Sequence, residues 1–184
     1  MQRFRLFNSL AIAFAVLLMI GIIAPVAPGA AQSQPTSVYL PLLMSPPAPS
    51  LQTVEERTRA EEVVRLVNIE RAAAGCPALV IEEHLVAAAQ KHSKDMGDNN
   101  FFNHIGSDGS RFFNRTEAAD YTGNPGGENI AAGYPTPAIV MEGWLTSDGH
   151  RKNMLNCNFR EIGVGYYYAA NSTYRSYWTQ VFGR

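Results

Sequence analysis

The sequence has few cysteines and few charged residues. Only two of its 184 residues are Cys, and 17% are charged, with 15 Lys and Arg side chains against 16 Asp and Glu side chains. Two cysteines exclude a disulfide-rich miniature scaffold. The low, balanced charge excludes a broadly basic nucleic-acid-binding protein and a disordered acidic chain. The length and the hydrophobic fraction of 46% suit one compact domain.

The sequence also lacks the short motifs of several enzyme classes. It contains no His-Glu-x-x-His zinc motif, no Gly-x-Ser-x-Gly nucleophile turn, no P-loop and no paired Cys-x-x-Cys. Gly163-Val164-Gly165 does not predict a phosphate-binding loop, because it lies inside a strand-like pattern and no helix follows it. The sequence therefore contains no recognisable motif for a catalytic nucleophile.

The N-terminus has the three parts of a secretory signal. Arg3 and Arg5 precede the uncharged apolar run 10–23, and small residues follow up to Ala31. This pattern predicts a signal peptide over residues 1–31 and a secreted mature chain of net charge −3, with association to the cell envelope left open. An uncleaved membrane anchor is the alternative, although the apolar run is shorter than the ~20 residues that span a bilayer.

Residues 32–52 are predicted to form a proline-rich tether. Five prolines prevent a continuous helix there and favour an extended chain. We interpret the apolar run 38–44 as part of a linker lying against the domain, with docking onto envelope components as the alternative. The working domain is therefore predicted over residues 53–184.

Helical patterns dominate the first half of this domain, and strand patterns dominate its end. Thr53 and Glu56 form a capping box before a helix that reaches Gly75, and a second helix is predicted over residues 82–99. A short helix up to Tyr121 follows, and then a helix that begins at Pro137 and ends near residues 147–149. A glycine-rich turn is predicted at 123–127 between them. Residues 162–168 and 174–182 predict an antiparallel hairpin. Helices first and strands last indicate an α+β fold.

Three residues carry the chemistry that the sequence offers. His104, Glu128 and His150 lie in glycine-containing stretches predicted as loops. Two imidazoles and a carboxylate can hold a divalent ion such as zinc, with positions left for water or substrate. The alternative is that each residue makes its own hydrogen bonds in its loop. His92, on the inner face of the second helix, is predicted to be packed and hydrogen-bonded, and His84 to be solvated.

The motifs, taken in order, resemble the CAP superfamily, also called SCP, which includes the cysteine-rich secretory proteins, antigen five and plant pathogenesis-related proteins. The resemblance covers about residues 63–183 and is greatest to the short bacterial members. It rests on these segments: Leu66-Val67-Asn68-Ile69-Glu70-Arg71, Ala89-Gln90-Lys91-His92-Ser93, Phe102-Asn103-His104, Gly127-Glu128-Asn129-Ile130-Ala131, Trp144-Leu145-Thr146-Ser147-Asp148-Gly149-His150-Arg151, Ile162-Gly163-Val164-Gly165 and Trp178-Thr179-Gln180-Val181-Phe182-Gly183.

The resemblance implies an α-β-α sandwich with a small, mainly antiparallel sheet. Animal and plant members place two His and two Glu around a cleft that can bind divalent metal, and His104 and Glu128 match the first of each. Ser147 stands at the position of the second Glu, and Tyr177 at that of the second His. His150 is the candidate replacement for the missing His, and Asp148 the candidate substitute for the missing carboxylate.

Two further expectations depend on export and on the resemblance. In an oxidising compartment Cys76 and Cys157 are expected to form a disulfide, with two buried thiols as the alternative. The resemblance favours a non-catalytic extracellular binding module for lipid, sterol or protein. The alternatives are a metal-dependent hydrolase acting on peptide or envelope polymer, with His104 and His150 as ligands and Glu128 as ligand or base, and a purely structural hydrogen-bonded cluster.

Overall fold

The structure, a computed structural model, describes residues 52–184. The predicted signal peptide 1–31 and residues 32–51 of the predicted tether lie outside the described residues. Within residues 52–184, no helix has both the length and the apolar character needed to cross a membrane. The helices are α1 (Val54–Ala73), α2 (Glu83–Asp98), α3 (Phe112–Glu117), α4 (Pro137–Leu145) and α5 (Asp148–Met154), and the strands are β1 (Val80–Ile81), β2 (Pro125–Ala132), β3 (Glu161–Tyr168) and β4 (Ser176–Gly183).

The predicted capping box at the start of α1 is confirmed. The Thr53 hydroxyl accepts from the Glu56 N–H at 3.2 Å, and the Glu56 carboxylate accepts from the Thr53 N–H at 2.7 Å. These two bonds pair backbone N–H groups that the first helical turn cannot pair internally. α1 then buries one stripe of small apolar side chains, Ala60, Val63 and Val67, against the sheet.

The sheet has four strands in the order β1-β3-β4-β2. β3 pairs antiparallel with β4, as the sequence predicts, and β4 pairs antiparallel with β2. The two-residue β1 pairs parallel with the start of β3. The sheet is therefore small and mainly antiparallel.

α2 packs directly against the backbone of β3 at two glycines. A Cβ atom at Gly163 would lie 2.0 Å from the Leu85 carbonyl carbon, and one at Gly165 would lie 2.4 Å from that of Ala89. Glycine is thus required at both positions because the helix backbone leaves no room for a side chain.

The helices cover both faces of the sheet, which confirms the α+β sandwich. Leu85 and Ala89 of α2 pack with Val181 on one face. On the other face the main core joins side chains of α1, α4 and α5 to alternate residues of β3 and β4, including the buried indoles of Trp144 and Trp178. The layers are helix, sheet and helix.

Two elements differ from the sequence-based prediction. Residues 125–127, predicted as part of a turn, begin strand β2, and a Cβ at Gly126 would lie 2.2 Å from the Phe159 ring. Gly126 has no side chain and so leaves room for the Phe159 ring. The glycine at this position therefore reflects packing rather than a turn. Helix α5 was not predicted, and it places His150 in a helix while Glu128 lies in β2. The interpretation of both residues as loop residues was wrong.

The two-residue β1 pairs only with the start of β3, and two glutamine side chains bind the exposed backbone groups of β3 after that point. The Gln90 amide oxygen accepts from the Tyr166 N–H at 3.0 Å, and the Gln52 amide donates to the Val164 carbonyl at 3.0 Å. The Gln52 amide also donates to Gln90 at 3.0 Å. These amides take the hydrogen bonds that a further strand would make, which protects the edge.

The predicted disulfide between Cys76 and Cys157 is confirmed. Beside it, the fully buried guanidinium of Arg71 donates to the carbonyls of Pro77, Met154 and Phe159 at 2.7–3.1 Å. The disulfide and Arg71 together fix the segment between α5 and β3 to the end of α1.

Candidate ligand-binding cleft

The candidate site lies beside β2, the strand at the other edge of the sheet. Successive strand residues point to opposite faces, so Glu128 and Asn129 face different helices. Glu128 contacts Arg115 of α3, whereas Asn129 contacts α5 by donating to the His150 carbonyl at 3.1 Å. This one dipeptide thus connects the sheet to the helices on both of its sides.

The carboxylate of Glu128 has both oxygens engaged. Its Oε1 accepts from His104 Nδ1 at 2.8 Å, and its Oε2 accepts from Arg115 Nη2 at 2.6 Å. The side chain of Glu128 is 2% exposed and that of His104 is 55% exposed. Because a carboxylate only accepts, His104 Nδ1 carries a proton and donates it in this bond.

The loop that carries His104 is held through its backbone. Arg115 Nη1 donates to the Ser110 carbonyl at 2.7 Å, and its Nη2 also donates to the His104 carbonyl at 3.2 Å. His92 Nε2 donates to the Asn103 carbonyl at 3.0 Å. Side chains from two helices therefore fix the position of the imidazole.

His104 and Glu128 line a pocket of about 400 Å³. Its rim is apolar and open, since Ile105 and Phe113 are each 45% exposed. This volume falls within the range of small-molecule sites, which combine apolar walls with a few placed polar groups. The other lining residues are Asn103, Arg111 and Phe112.

His150 lines a different pocket, of about 230 Å³, together with Trp144 and Tyr134. Its Nδ1 is buried without a hydrogen-bond partner among residues 52–184. Burial, and then the nearby charge of His104, lower the pKa of His150. The two imidazoles thus interact electrostatically although they line separate pockets.

His92 is packed and hydrogen-bonded, as predicted. It is fully buried, and burial together with the neighbouring charge of Arg115 lowers its pKa from 6.5 to about 4. His84 is exposed, as predicted, and its Nδ1 lies 2.6 Å from a Glu82 carboxylate oxygen. Neither residue lines the pocket of His104.

The accessory residues Ser147 and Asp148 do not line the pocket of His104. Ser147 is the N-cap residue of α5, and Asp148 is exposed and lines an open surface with Arg151 and Lys152. Tyr177 is fully buried and packs with Met96 and Ile130. The residues at the positions of the second Glu and second His of the family are therefore not part of the pocket of His104.

A zinc ion at this site would need three protein ligands. Within the described part of the chain, no group of three His, Cys, Asp or Glu side chains is placed to hold a metal ion. The Glu128 carboxylate and His104 Nδ1 are already hydrogen-bonded to each other, which leaves Nε2 as the imidazole nitrogen of His104 that could bind a metal ion. The described side chains do not supply a three-ligand zinc site, so the bound metal stays a prediction.

Sequence reasoning missed two residues that build the site. Arg115 holds Glu128 and the His104 loop, and Asn129 joins Asn153 and Gln180 through its side-chain amide at 2.9 and 3.0 Å. The Gly-Glu-Asn triplet contained a signal for Asn129. Nothing in the sequence around Arg115 indicated that an arginine of a short helix would be buried.

Comparison with known proteins gives one family match and several relatives. Residues 64–182 match the family described as CAP, cysteine-rich secretory protein family. The uncharacterized protein YkwD of Bacillus subtilis is 40% identical over 135 residues, which are 73% of this chain and 49% of that protein. The uncharacterized membrane protein YlbC of the same organism is 33% identical over 79% of this chain and 40% of its own length. The chain thus spans about half or less of the curated relatives it matches.

Solved structures give the same architecture. An extracellular protein containing an SCP domain from Bacillus anthracis aligns with a TM-score of 0.64 and 33% identity, covering 72% of this chain and 44% of that one. An outer surface protein of Borrelia burgdorferi aligns with a TM-score of 0.63 and 20% identity, covering 73% of this chain and 96% of that one. The second likeness supports the fold alone.

Proposed function

Because the chain belongs to the cysteine-rich secretory protein (CAP) family, we propose that it is a non-catalytic extracellular binding module. Its ligand is an amphipathic lipid or sterol that occupies the pocket of His104. A protein ligand, the third class considered from the sequence, is an outcome of the test below. The engaged carboxylate of Glu128 at the base of an apolar-rimmed pocket is the observation that carries this proposal.

The pocket suits a ligand with an apolar body and a polar end. Ile105 and Phe113 offer exposed apolar surface at its rim, and burial of such surface drives association. The exposed imidazole of His104 also lines the pocket, and its Nε2, the ring nitrogen not bonded to Glu128, is available for a hydrogen bond with a polar group of the ligand. A sterol hydroxyl or a protonated fatty-acid head group can make this bond.

The hydrogen bonds of the Glu128 carboxylate favour a binding function over a catalytic one. A general base must be free to take a proton, but both oxygens of this carboxylate already accept from Arg115 and His104. The guanidinium of Arg115 also compensates the buried charge of this carboxylate. Glu128 therefore serves to orient His104.

An extracellular location is supported by the descriptions of the relatives. The 33% identical protein of Bacillus anthracis is described as extracellular, and the predicted signal peptide over residues 1–31 agrees with export. A disulfide between the only two cysteines suits an oxidising compartment.

The proposal is tested by titrating the purified protein with fluorescent fatty-acid and cholesterol analogues. Phe113→Ser removes apolar surface from the rim and should weaken binding about tenfold, which corresponds to about 1.4 kcal/mol. Ile69→Ser, at an exposed apolar position of α1 outside the pocket, is the matched control and should bind like the unmodified protein. Failure to bind either probe, or equal losses in the two variants, would contradict a lipid or sterol ligand, and protein capture by the same pocket would then be tested.

The alternative is a metal-dependent hydrolase that acts on peptide or envelope polymer. One observation favours it: a buried carboxylate orients the exposed imidazole of His104, as a catalytic base or a metal-binding histidine requires. Glu128→Gln separates the two functions. Because this change also leaves the buried Arg115 without its anion, the fold of the variant is checked first by circular dichroism. In the folded fraction a hydrolase should lose turnover, whereas the binding module should retain the lipid probe.

A further inference from the structure

A second pocket, which we call the tyrosine pocket, lies between the start of α1 and the turn that joins β3 to β4. Its volume is about 640 Å³. It shares no lining residue with the pocket of His104. The lining residues are Thr53, Glu55, Glu56, Arg59, Gly133, Pro135, Tyr166, Tyr168, Tyr174, Arg175 and Ser176.

Two tyrosines give this pocket exposed aromatic surface. Tyr168 is 54% exposed and Tyr174 is 46% exposed. Tyr174 is supported from behind, since its ring centroid lies 5.9 Å from that of Phe102 and 6.1 Å from that of Tyr177. A ring held in this way presents its surface to a ligand with little loss of conformational entropy on binding.

The polar groups of the tyrosine pocket are balanced in charge. Glu55 and Glu56 are matched by Arg59 and Arg175, so the lining has no net charge. The guanidinium of Arg59 is fixed, because it lies 3.0 Å from the Glu55 carboxylate, donates to the Pro135 carbonyl at 2.9 Å and stacks over the Tyr166 ring at 5.1 Å.

The charge balance decides which ligand the pocket suits. An anionic polymer would be repelled by two carboxylates, and a cationic polymer would be repelled by two guanidinium groups. Because the lining has no net charge, neither polymer would be attracted by the overall electrostatic field of the pocket. A purely apolar ligand would have to desolvate four charged side chains. A neutral ligand that has both hydrogen-bond donors and acceptors avoids these costs.

From these features we propose that the tyrosine pocket binds a neutral oligosaccharide. The C–H face of a sugar ring packs on an exposed aromatic ring, and sugar hydroxyls donate to carboxylates and accept from guanidinium groups and hydroxyls. Tyr168 and Tyr174 supply the aromatic surface, and Glu56, Arg175 and Ser176 supply polar groups. This site goes beyond the proposed function, because it gives the domain a carbohydrate site separate from its lipid pocket.

The experiment is isothermal titration of the purified protein with three neutral hexasaccharides: chitohexaose, cellohexaose and mannohexaose. At least one should bind, and Tyr168→Ala and Tyr174→Ala should each weaken that binding about tenfold. Tyr168→Phe keeps the aromatic ring and should change affinity less than about threefold. Tyr168 is exposed, so its variants test the pocket even if Tyr174→Ala disturbs folding. Phe113→Ser, in the pocket of His104, should leave sugar binding unchanged.

Two outcomes would overturn this proposal. One is the absence of binding for all three sugars, and the other is binding that survives Tyr168→Ala. An uncharged proline-rich peptide is the other occupant that an aromatic groove can take. A synthetic peptide with the sequence of residues 44–51 that binds through Tyr168 when the sugars do not would assign the pocket to peptide. Lipid binding in the His104 pocket is measured separately, so the two proposals can fail independently.

Discussion

The guanidinium of Arg115 lies 2.6 Å from the Glu128 carboxylate, and both side chains are almost fully buried. The contact joins α3 to β2 and fixes the acceptor to which His104 donates. Each charge in such a pair compensates the desolvation of the other, so the pair is far less costly than either charge alone.

Replacing Arg115 by Met should therefore destabilise the domain strongly. The change leaves the Glu128 carboxylate buried without its cation, and we expect a loss of about 3–5 kcal/mol in the free energy of unfolding, measured by urea denaturation. Adding Glu128→Leu to Arg115→Met should recover part of the loss, because no buried charge then remains.

Arg65→Met is the control for this variant. Arg65 pairs with Glu62 on the solvent-facing side of α1, and its loss should leave the unfolding curve unchanged. A loss below about 1 kcal/mol in Arg115→Met would show that the buried pair does not hold the cleft together.

Acid should destabilise the protein through His92. Its pKa falls from 6.5 to about 4 on folding, so between these values the unfolded chain binds a proton that the folded protein does not. The stability that depends on the neutral imidazole is complete above pH 6.5 and is lost as the pH falls toward 4. This loss amounts to about 3 kcal/mol.

Urea unfolding at pH 7 and pH 4.5 measures this effect. His92→Gln should lose less stability than the unmodified protein over the same interval, although it is less stable at pH 7. His84→Gln, at an exposed position, should keep the full acid dependence. If His92→Gln and the unmodified protein show the same pH dependence, His92 is not the responsible group.

Alanine at Gly163 should be poorly tolerated. The added Cβ would meet the backbone of α2 at 2.0 Å, and a helix backbone cannot move away as a flexible side chain can. We expect a loss of about 3 kcal/mol, the upper end of the range for overpacking. The measurement is thermal or urea unfolding with circular dichroism.

Gly149→Ala is the matched control for the glycine variant. Gly149 lies in α5 with open space around it, so alanine should be neutral or stabilising by up to about 1 kcal/mol. Equal effects at the two glycines would show that α2 can shift away from β3.

Removing the disulfide should cost stability without changing the fold. Cys76 and Cys157 are separated by 81 residues, and a loop of this length corresponds to roughly 4–5 kcal/mol in the chain-entropy description. The Cys76→Ala/Cys157→Ala double variant should show this loss in urea. Its native circular dichroism spectrum should persist, because Arg71 still holds the segment after α5. An unchanged urea midpoint would contradict the expectation.

The elements that depend on neighbouring residues were predictable from the sequence. The cap at Thr53 is formed by residues three apart, α2 follows from a helical period, and the β3–β4 hairpin follows from alternation around a short turn. The layered arrangement came from the family resemblance, because sequence patterns do not specify which faces pack together.

The parts of the fold and of the site that were not predicted depend on contacts between residues far apart in the sequence. The start of β2, residues 125–127, is glycine-rich and was predicted as part of a turn, but pairing with β4 about 50 residues later makes it a strand. The buried Arg115 is paired with Glu128, which lies 13 residues later on another element. The sequence picked out His104, Glu128 and His150, and the structure places the first two in contact and the third in another pocket.

The glutamine at the start of the described chain has a mechanical consequence. Gln52 is hydrogen-bonded to Val164 of β3 and to Gln90 of α2, so a pulling force applied to the chain before it would load the sheet and α2 before it reached α1. Attachment at this end would therefore strain two long-range contacts side by side instead of unravelling a helix from its first turn.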